Sequence, residues 1–192
     1  MKSWYLPVLC PAVYVLTRAV ASPGFWRDYL SDYTLHSILF FTSFLVLPVA
    51  LIRTAEGIYS GKIQLVKGVA AYLIIIPVFL VLFDHALGPK DAVSLVLVAI
   101  NVVAVDFYVF RVWQYPFVES GWLKASLVGI AVWIAVHIPE SHVLLTCGFS
   151  IQQVFGFMIF SGTLLSTVYS RIKDVAGFMV GHVILNVAVA VT

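Results

Sequence analysis

Ionisable and amide side chains interrupt long apolar runs at three places in the C-terminal half of the chain. Asp106 and Arg111 lie in VDFYVFRVWQYPFVE, His137 in WIAVHIP, and His182 with Asn186 in GHVILN. Inserting such groups at bilayer depth costs roughly 2.5–3.5 kcal/mol each on insertion scales. Groups kept at that cost normally face a protein interior or a wet cavity and mark a site. One carboxylate, two imidazoles, a guanidinium and a carboxamide are the inventory for activating water, binding a metal or relaying protons.

Spacing limits what each cluster does locally. His182 and Asn186 are four apart, so they share a helix face one turn from each other. Gly181 beside them lets a neighbouring helix approach. His137 stands four residues after Trp133, on the same face, and just before Ile138-Pro139. Asp106 and Arg111 are five apart, about 500° around an α-helix, so they do not share one strict face. Each cluster alone also fits a bland reading. His182 and Asn186 can be packing glue between helices, His137 a structural helix-end histidine, and Asp106 with Arg111 a structural ion pair. Together they come from three helices that can converge. No Ser or Cys lies in a comparable polar setting, so activated water is simpler chemistry here than a covalent nucleophile. Glu119, beside Ser120-Gly121, and His142, past Pro139, read as solvated groups outside the chemistry. His36 and His85 have no polar partner at helical spacing.

The elements that must hold these residues follow from composition. The 192 residues are 62% hydrophobic and 10% charged, with a mean hydropathy of +1.04. A soluble domain is nearer 45–50% apolar and about 25% charged. The expected fold is therefore all-α, a polytopic transmembrane bundle of about seven spans in a single membrane domain, 1–192. Helices are expected at about 4–21, 35–52, 68–87, 92–117, 122–138, 149–170 and 175–191. Turn chemistry separates them at Ser22-Pro23-Gly24, Gly57 to Gly61, Gly88-Pro89-Lys90, Ser120-Gly121, Pro139 and Lys173-Asp174. The segment Arg53 to Lys67 reads as a loop or short surface helix. Pro7, Pro11 and Arg18 interrupt the first apolar run, which favours an uncleaved helix over a signal peptide ending at Ala19-Val20-Ala21.

A net charge of +2, dispersed along the chain, does not point to nucleic acid. Cys10 and Cys147 form neither a disulfide framework nor a metal knuckle. With seven spans, Lys2, Arg53, Lys62, Lys67, Lys124, Arg171 and Lys173 fall on one side and Arg18, Arg27 and Lys90 on the other. The positive-inside rule then places the N-terminus in the cytoplasm. Trp4, Trp26, Trp113 and Trp122 lie near span ends, as interfacial aromatics do. Short loops and minimal length suit a prokaryotic plasma membrane.

Residues 91–192 resemble the CPBP intramembrane proteases, the CAAX prenyl protease type II and bacteriocin-processing family. That family carries Glu-Glu-x-x-x-Arg, then Phe-x-x-x-His, then His-x-x-x-Asn/Asp on successive helices. The corresponding stretches here are Asp106-Phe107-Tyr108-Val109-Phe110-Arg111, Trp133-Ile134-Ala135-Val136-His137 and His182-Val183-Ile184-Leu185-Asn186. Phe110, Pro116, Glu119 and the Ile-Pro after His137 are typical flanks. Residues 1–90 carry no recognisable motif of the family. The resemblance implies an endopeptidase acting on a membrane-anchored, lipidated or leader-peptide substrate. It implies Asp106 as the base that activates water and His137 as the group that binds or polarises it. His182 and Asn186 would stabilise the oxyanion, and Arg111 would order the carboxylate and the helix packing. The chain departs from the family in having Asp-Phe for Glu-Glu and Trp133 for Phe. An aspartate carboxylate sits one methylene closer to the backbone, and a 1 Å displacement can cost about 10²-fold in rate. No cofactor is expected. Two histidines and an aspartate could bind zinc, but without a tight HExxH zinc is not favoured. The alternatives are an inactive binding or scaffold protein on the same fold, or a small proton-coupled transporter. Against the transporter, inverted repeats and paired broken helices are missing from the sequence.

Overall fold

Long aliphatic runs offer the backbone no polar partners, so their N–H and C=O groups must pair within the segment, and a helix achieves that. The computed structural model describes residues 5–21, 33–52, 56–83, 92–146 and 148–191, and every regular element among them is helical. They are α1 (Leu6–Ala21), α2 (Tyr33–Phe41), a π-helical stretch (Thr42–Val46), α3 (Leu47–Leu51), α4 (Lys62–Phe83) and α5 (Ala92–Asp106). A second π segment (Phe107–Gln114), a 3-10 turn (Tyr115–Ser120), α6 (Trp122–Thr146), α7 (Ile151–Ile172) and α8 (Val175–Val191) follow. Elements that abut form continuous rods, giving seven rods among the described residues.

The rods match the expected segments in number, with two corrections. Helix α4 begins at Lys62, so Gln64 to Lys67 are helical and the loop is confined to the stretch before it. Helix α6 runs through Pro139 to Thr146, so His142 lies on helical backbone, not in a loop. Proline removes one N–H and crowds one carbonyl, a defect an apolar helix tolerates when neighbours and Ser/Thr side chains serve the freed groups. Ser141 Oγ donates to Ile138 O at 2.6 Å next to the proline, while the carbonyl that Pro139 leaves without an N–H is that of Ala135. Arg27, Lys90, His85, Cys147, Trp4 and Trp26 lie outside the described residues. Cys10 is buried, as an inert thiol would be.

Several polar groups are buried with the apolar core, and many apolar side chains face outward. Asp106, Gln114, Ser166 and Asp174 are fully buried, whereas Val8, Leu16, Ile63, Val81 and Val96 are among the most exposed side chains. Three stretches, Lys62–Phe83, Leu95–Ser120 and Ile151–Ile172, are long and apolar enough to cross a membrane. The rod from α5 to the 3-10 turn is the central one, and every residue from Ala104 to Val112 is buried. Helix α4 packs chiefly on α8, and α6 on α7.

Small residues set the α4–α8 crossing. Gly177 and Gly181 are four apart on α8, a spacing that lets backbones approach. A Cβ at Gly177 would collide with Leu65 O and stand 3.0 Å from Gly68 Cα. The start of α8 is tied down by Asp174, whose Oδ1 accepts from Gly177 N at 2.9 Å and Oδ2 from Ser60 N at 2.6 Å. Ala176 N donates to Ile58 O, and Ser60 Oγ to Lys173 O, so the 56–61 loop closes over this helix end. Asp174→Ala removes an N-cap acceptor and strands the Ser60 N–H. It is expected to destabilise the protein by about 1–2 kcal/mol, seen as a lower melting temperature in detergent. An unchanged melt would show that the cap is not needed.

At the same end Arg171 lies over the Trp122 ring, 4.9 Å from its centroid, and Lys124 over Phe117. Basic residues at the start of α6 and the end of α7 thus lie against aromatic rings. Trp122 is half-exposed there, whereas Trp113 lies within the π segment with its Nε1 buried.

Candidate functional site

Three helices bring Tyr72, Asp106 and His182 into mutual contact. Tyr72 Oη donates to Asp106 Oδ1 at 2.8 Å and lies 2.9 Å from His182 Nδ1. His182 Nδ1 is 3.1 Å from the same Asp106 Oδ1. Tyr72 comes from α4, Asp106 ends α5 and His182 comes from α8. All three are buried. The other carboxylate oxygen, Asp106 Oδ2, is buried and has no hydrogen-bond partner among the described residues. An unpaired buried acceptor is costly, and more so when charged.

With Asp106 ionised, the donor inventory sets the proton positions. An ionised carboxylate only accepts, and the tyrosine hydroxyl has one proton. Tyr72 therefore gives its proton to Asp106, and the Nδ1 of His182 must itself carry a hydrogen to bond there. The neutral ring then has its lone pair on Nε2, and an N–H appears at that nitrogen only in the imidazolium.

Local packing explains why the three meet. A Cβ at residue 181 would lie 2.8 Å from Tyr72 Cβ and Cδ2, so the glycine admits the tyrosine ring against α8. The Tyr72 and His182 rings stack with centroids 4.8 Å apart and 24° between planes. From Phe107 the chain turns from α to π-helix. Bonding there is i→i+5, so face assignments made at 3.6 residues per turn stop at Asp106.

His137 joins this centre through Trp133. The indole centroid is 4.1 Å from the His137 ring and 5.8 Å from the His182 ring. His137 Nδ1 is 2.7 Å from Trp133 O, and because a carbonyl only accepts, that nitrogen carries the proton. Trp133 Nε1 donates to Ser161 Oγ at 3.1 Å, which fixes the indole in contact with both imidazoles. Gly162 leaves room for it, since a Cβ there would come within 2.8 Å of the ring.

Asn186 and Arg111 are engaged elsewhere. Asn186 Nδ2 donates to His182 O at 3.1 Å, one turn back on its own helix. The Arg111 guanidinium lies 4.5 Å from the Tyr115 centroid, with Tyr169 and Glu56 as further electrostatic neighbours. The groups that hold the Asp106 carboxylate are Tyr72 and His182. Glu119 is exposed on the 3-10 turn.

Sequence reasoning passed over Tyr72. Its signal was a single phenol in mid-helix, in GVAAYLIIIPVFL, whose hydroxyl must find a partner when buried. Among the described residues no group of three or more His, Cys, Asp or Glu side chains is placed to hold a metal ion. Compared with known family profiles, curated proteins and solved structures, the chain matches none.

Proposed function

We propose that the chain is a multi-pass intramembrane endopeptidase that hydrolyses its substrate with water activated at Asp106. One observation carries this reading. Asp106 Oδ1 is anchored by two donors from two other helices, while Oδ2 is buried and unpartnered. An anchored carboxylate with one oxygen to spare is what a general base requires. The order of Asp106…Arg111, His137 and His182…Asn186 along the chain, with its resemblance to the CPBP proteases, supplies the reaction class. The many exposed apolar side chains, the buried polar groups and the three helices of spanning length fit a membrane setting.

In this mechanism water hydrogen-bonds to Asp106 Oδ2 and gives it a proton as the oxygen attacks the scissile carbonyl. His137 polarises the water. His182, held beside Asp106 through Nδ1, stabilises the oxyanion. Asn186 has a second amide proton to offer beyond the one given to His182 O. Collapse of the tetrahedral intermediate breaks the C–N bond, and the proton on Asp106 passes to the leaving amine. The substrate class is a membrane-anchored, lipidated or leader-peptide segment. Asp106 has no exposed surface, and His137 is only partly buried. The distribution of basic residues supports a cytoplasmic N-terminus, and the short loops support a prokaryotic plasma membrane.

The test compares new protein termini by mass spectrometry in membranes holding wild type or Asp106→Asn. Termini made only by the wild type, with one 18O in the new carboxylate when made in labelled water, are the expected result. Glu119→Gln is expected to produce the same termini at the wild-type rate, because Glu119 is exposed and distant from the cluster. A loss as large as that of Asp106→Asn would move the site to the 3-10 turn.

A non-catalytic membrane partner on the same framework is favoured by one feature. The Tyr72–Asp106–His182 cluster closes on itself inside the bundle, as structural glue would. That reading predicts identical termini for wild type and Asp106→Asn.

A further inference from the structure

Tyr72 lies outside the three polar clusters, yet it contacts both groups at the centre of the site. We propose that Tyr72 is a positioning residue. Its hydroxyl fixes the Asp106 carboxylate through Oδ1, aiming Oδ2 at the reacting water, and holds His182 with its proton on Nδ1.

Three observations support the assignment. The Tyr72 hydroxyl is 2.8 Å from Asp106 Oδ1 and 2.9 Å from His182 Nδ1, so one oxygen serves two chemically active groups. The ring stacks on the imidazole at 4.8 Å and sets its plane. The tyrosine is itself held, because Gly181 admits its ring against α8 and Phe178 packs on it edge-on. A carboxylate bonded at Oδ1 by His182 alone would pivot about that contact. With two donors from different helices its plane is fixed.

The kinetic consequence rests on the peptidase reading, and the spectroscopic one does not. The probe for the latter is the full chain in detergent micelles with 15N-labelled histidine, compared between wild type and Tyr72→Phe. His182→Gln identifies the His182 resonances by their loss. The phenylalanine keeps the ring against His182 and Gly181, so any change reports the hydroxyl. Expected are a protonated Nδ1 on His182 in the wild type and a displaced His182 signal in Tyr72→Phe. The His137 signals should stay in place, because the His137 ring packs on Trp133 and its Nδ1 bonds Trp133 O, neither of which the substitution alters. A wild-type His182 protonated at Nε2 alone overturns the assignment. So does a Tyr72→Phe spectrum that superimposes on the wild type.

On a peptide that the wild type cleaves, Tyr72→Phe should lower kcat by about 10- to 100-fold with KM unchanged. That is the rate equivalent of one hydrogen bond to a charged group. A merely structural tyrosine would instead lower the melting temperature and leave kcat per folded molecule unaltered. A chain that cleaves nothing but shows the spectral change would refute the peptidase and retain Tyr72 as the residue that orders Asp106 and His182.

Discussion

Asp106→Asn is expected to abolish peptide cleavage in a protein that still folds. The carboxamide can keep an acceptor oxygen toward Tyr72 Oη and His182 Nδ1, so the helix contacts made through Oδ1 survive. What is lost is the ability of the second atom to accept a proton at neutral pH. Removing a general base typically costs about 10²–10⁴-fold. Asp106→Glu should recover part of the activity, because it restores an acid but moves it by one methylene at a fully buried position. The measurement is initial rate by mass spectrometry, normalised to folded protein. An Asp106→Asn protein cleaving at the wild-type rate would rule out the role assigned to this residue. Peptide products absent from the wild type as well, with proton flux lost in Asp106→Asn, would turn the same cluster into a proton relay.

Gly177→Leu is expected to have the largest effect on stability. A side chain at 177 meets backbone atoms, Leu65 O and Gly68, which cannot rotate aside as a flexible side chain would. Replacing glycine within a helix gains up to about 1 kcal/mol in propensity. Forcing a large side chain into a packed contact costs typically about 1–3 kcal/mol, occasionally more. With backbone on the opposing side the upper end applies, so the clash wins. Helices α4 and α8 would separate, carrying Tyr72 away from His182. The expected outcome is a melting temperature several degrees lower in detergent, with cleavage reduced. Gly156→Ala is the matching control: a Cβ there meets no atom within 4 Å, so propensity acts alone and stability rises. Equal melting of Gly177→Leu and wild type would show that the α4–α8 contact is not close in solution.

Much of the architecture was legible because apolar length and backbone hydrogen bonding allow few solutions. Runs such as LIIIPVFLVLF can satisfy their peptide groups only as helices, so the all-helical class and the number of rods followed from composition and spacing. The positions of the costly polar groups were legible for the same reason. Asp106, His137 and His182 stand out against their neighbours without any knowledge of the fold. Residues near breaks were less certain. Pro139 reads as a terminator, yet α6 continues past it, because proline costs a helix one hydrogen bond and leaves the rest of the ladder intact. Asp174 reads as part of a turn. That it caps α8 and also accepts from Ser60, 114 positions away, depends on how a distant loop folds over the helix end.

What only the tertiary structure decided is which groups touch. Tyr72 and His182 are 110 positions apart, and their contact depends on the rotation of two helices about their axes. Glycines 177 and 181 set that rotation by letting α4 come close. The π segment after Asp106 shifts the register of every residue from Phe107 to Gln114, and local sequence preference hardly encodes it. A one-dimensional pattern specifies which side chains must leave an apolar environment. The partner each one finds is set by helix packing, which depends on shape summed over many distant residues.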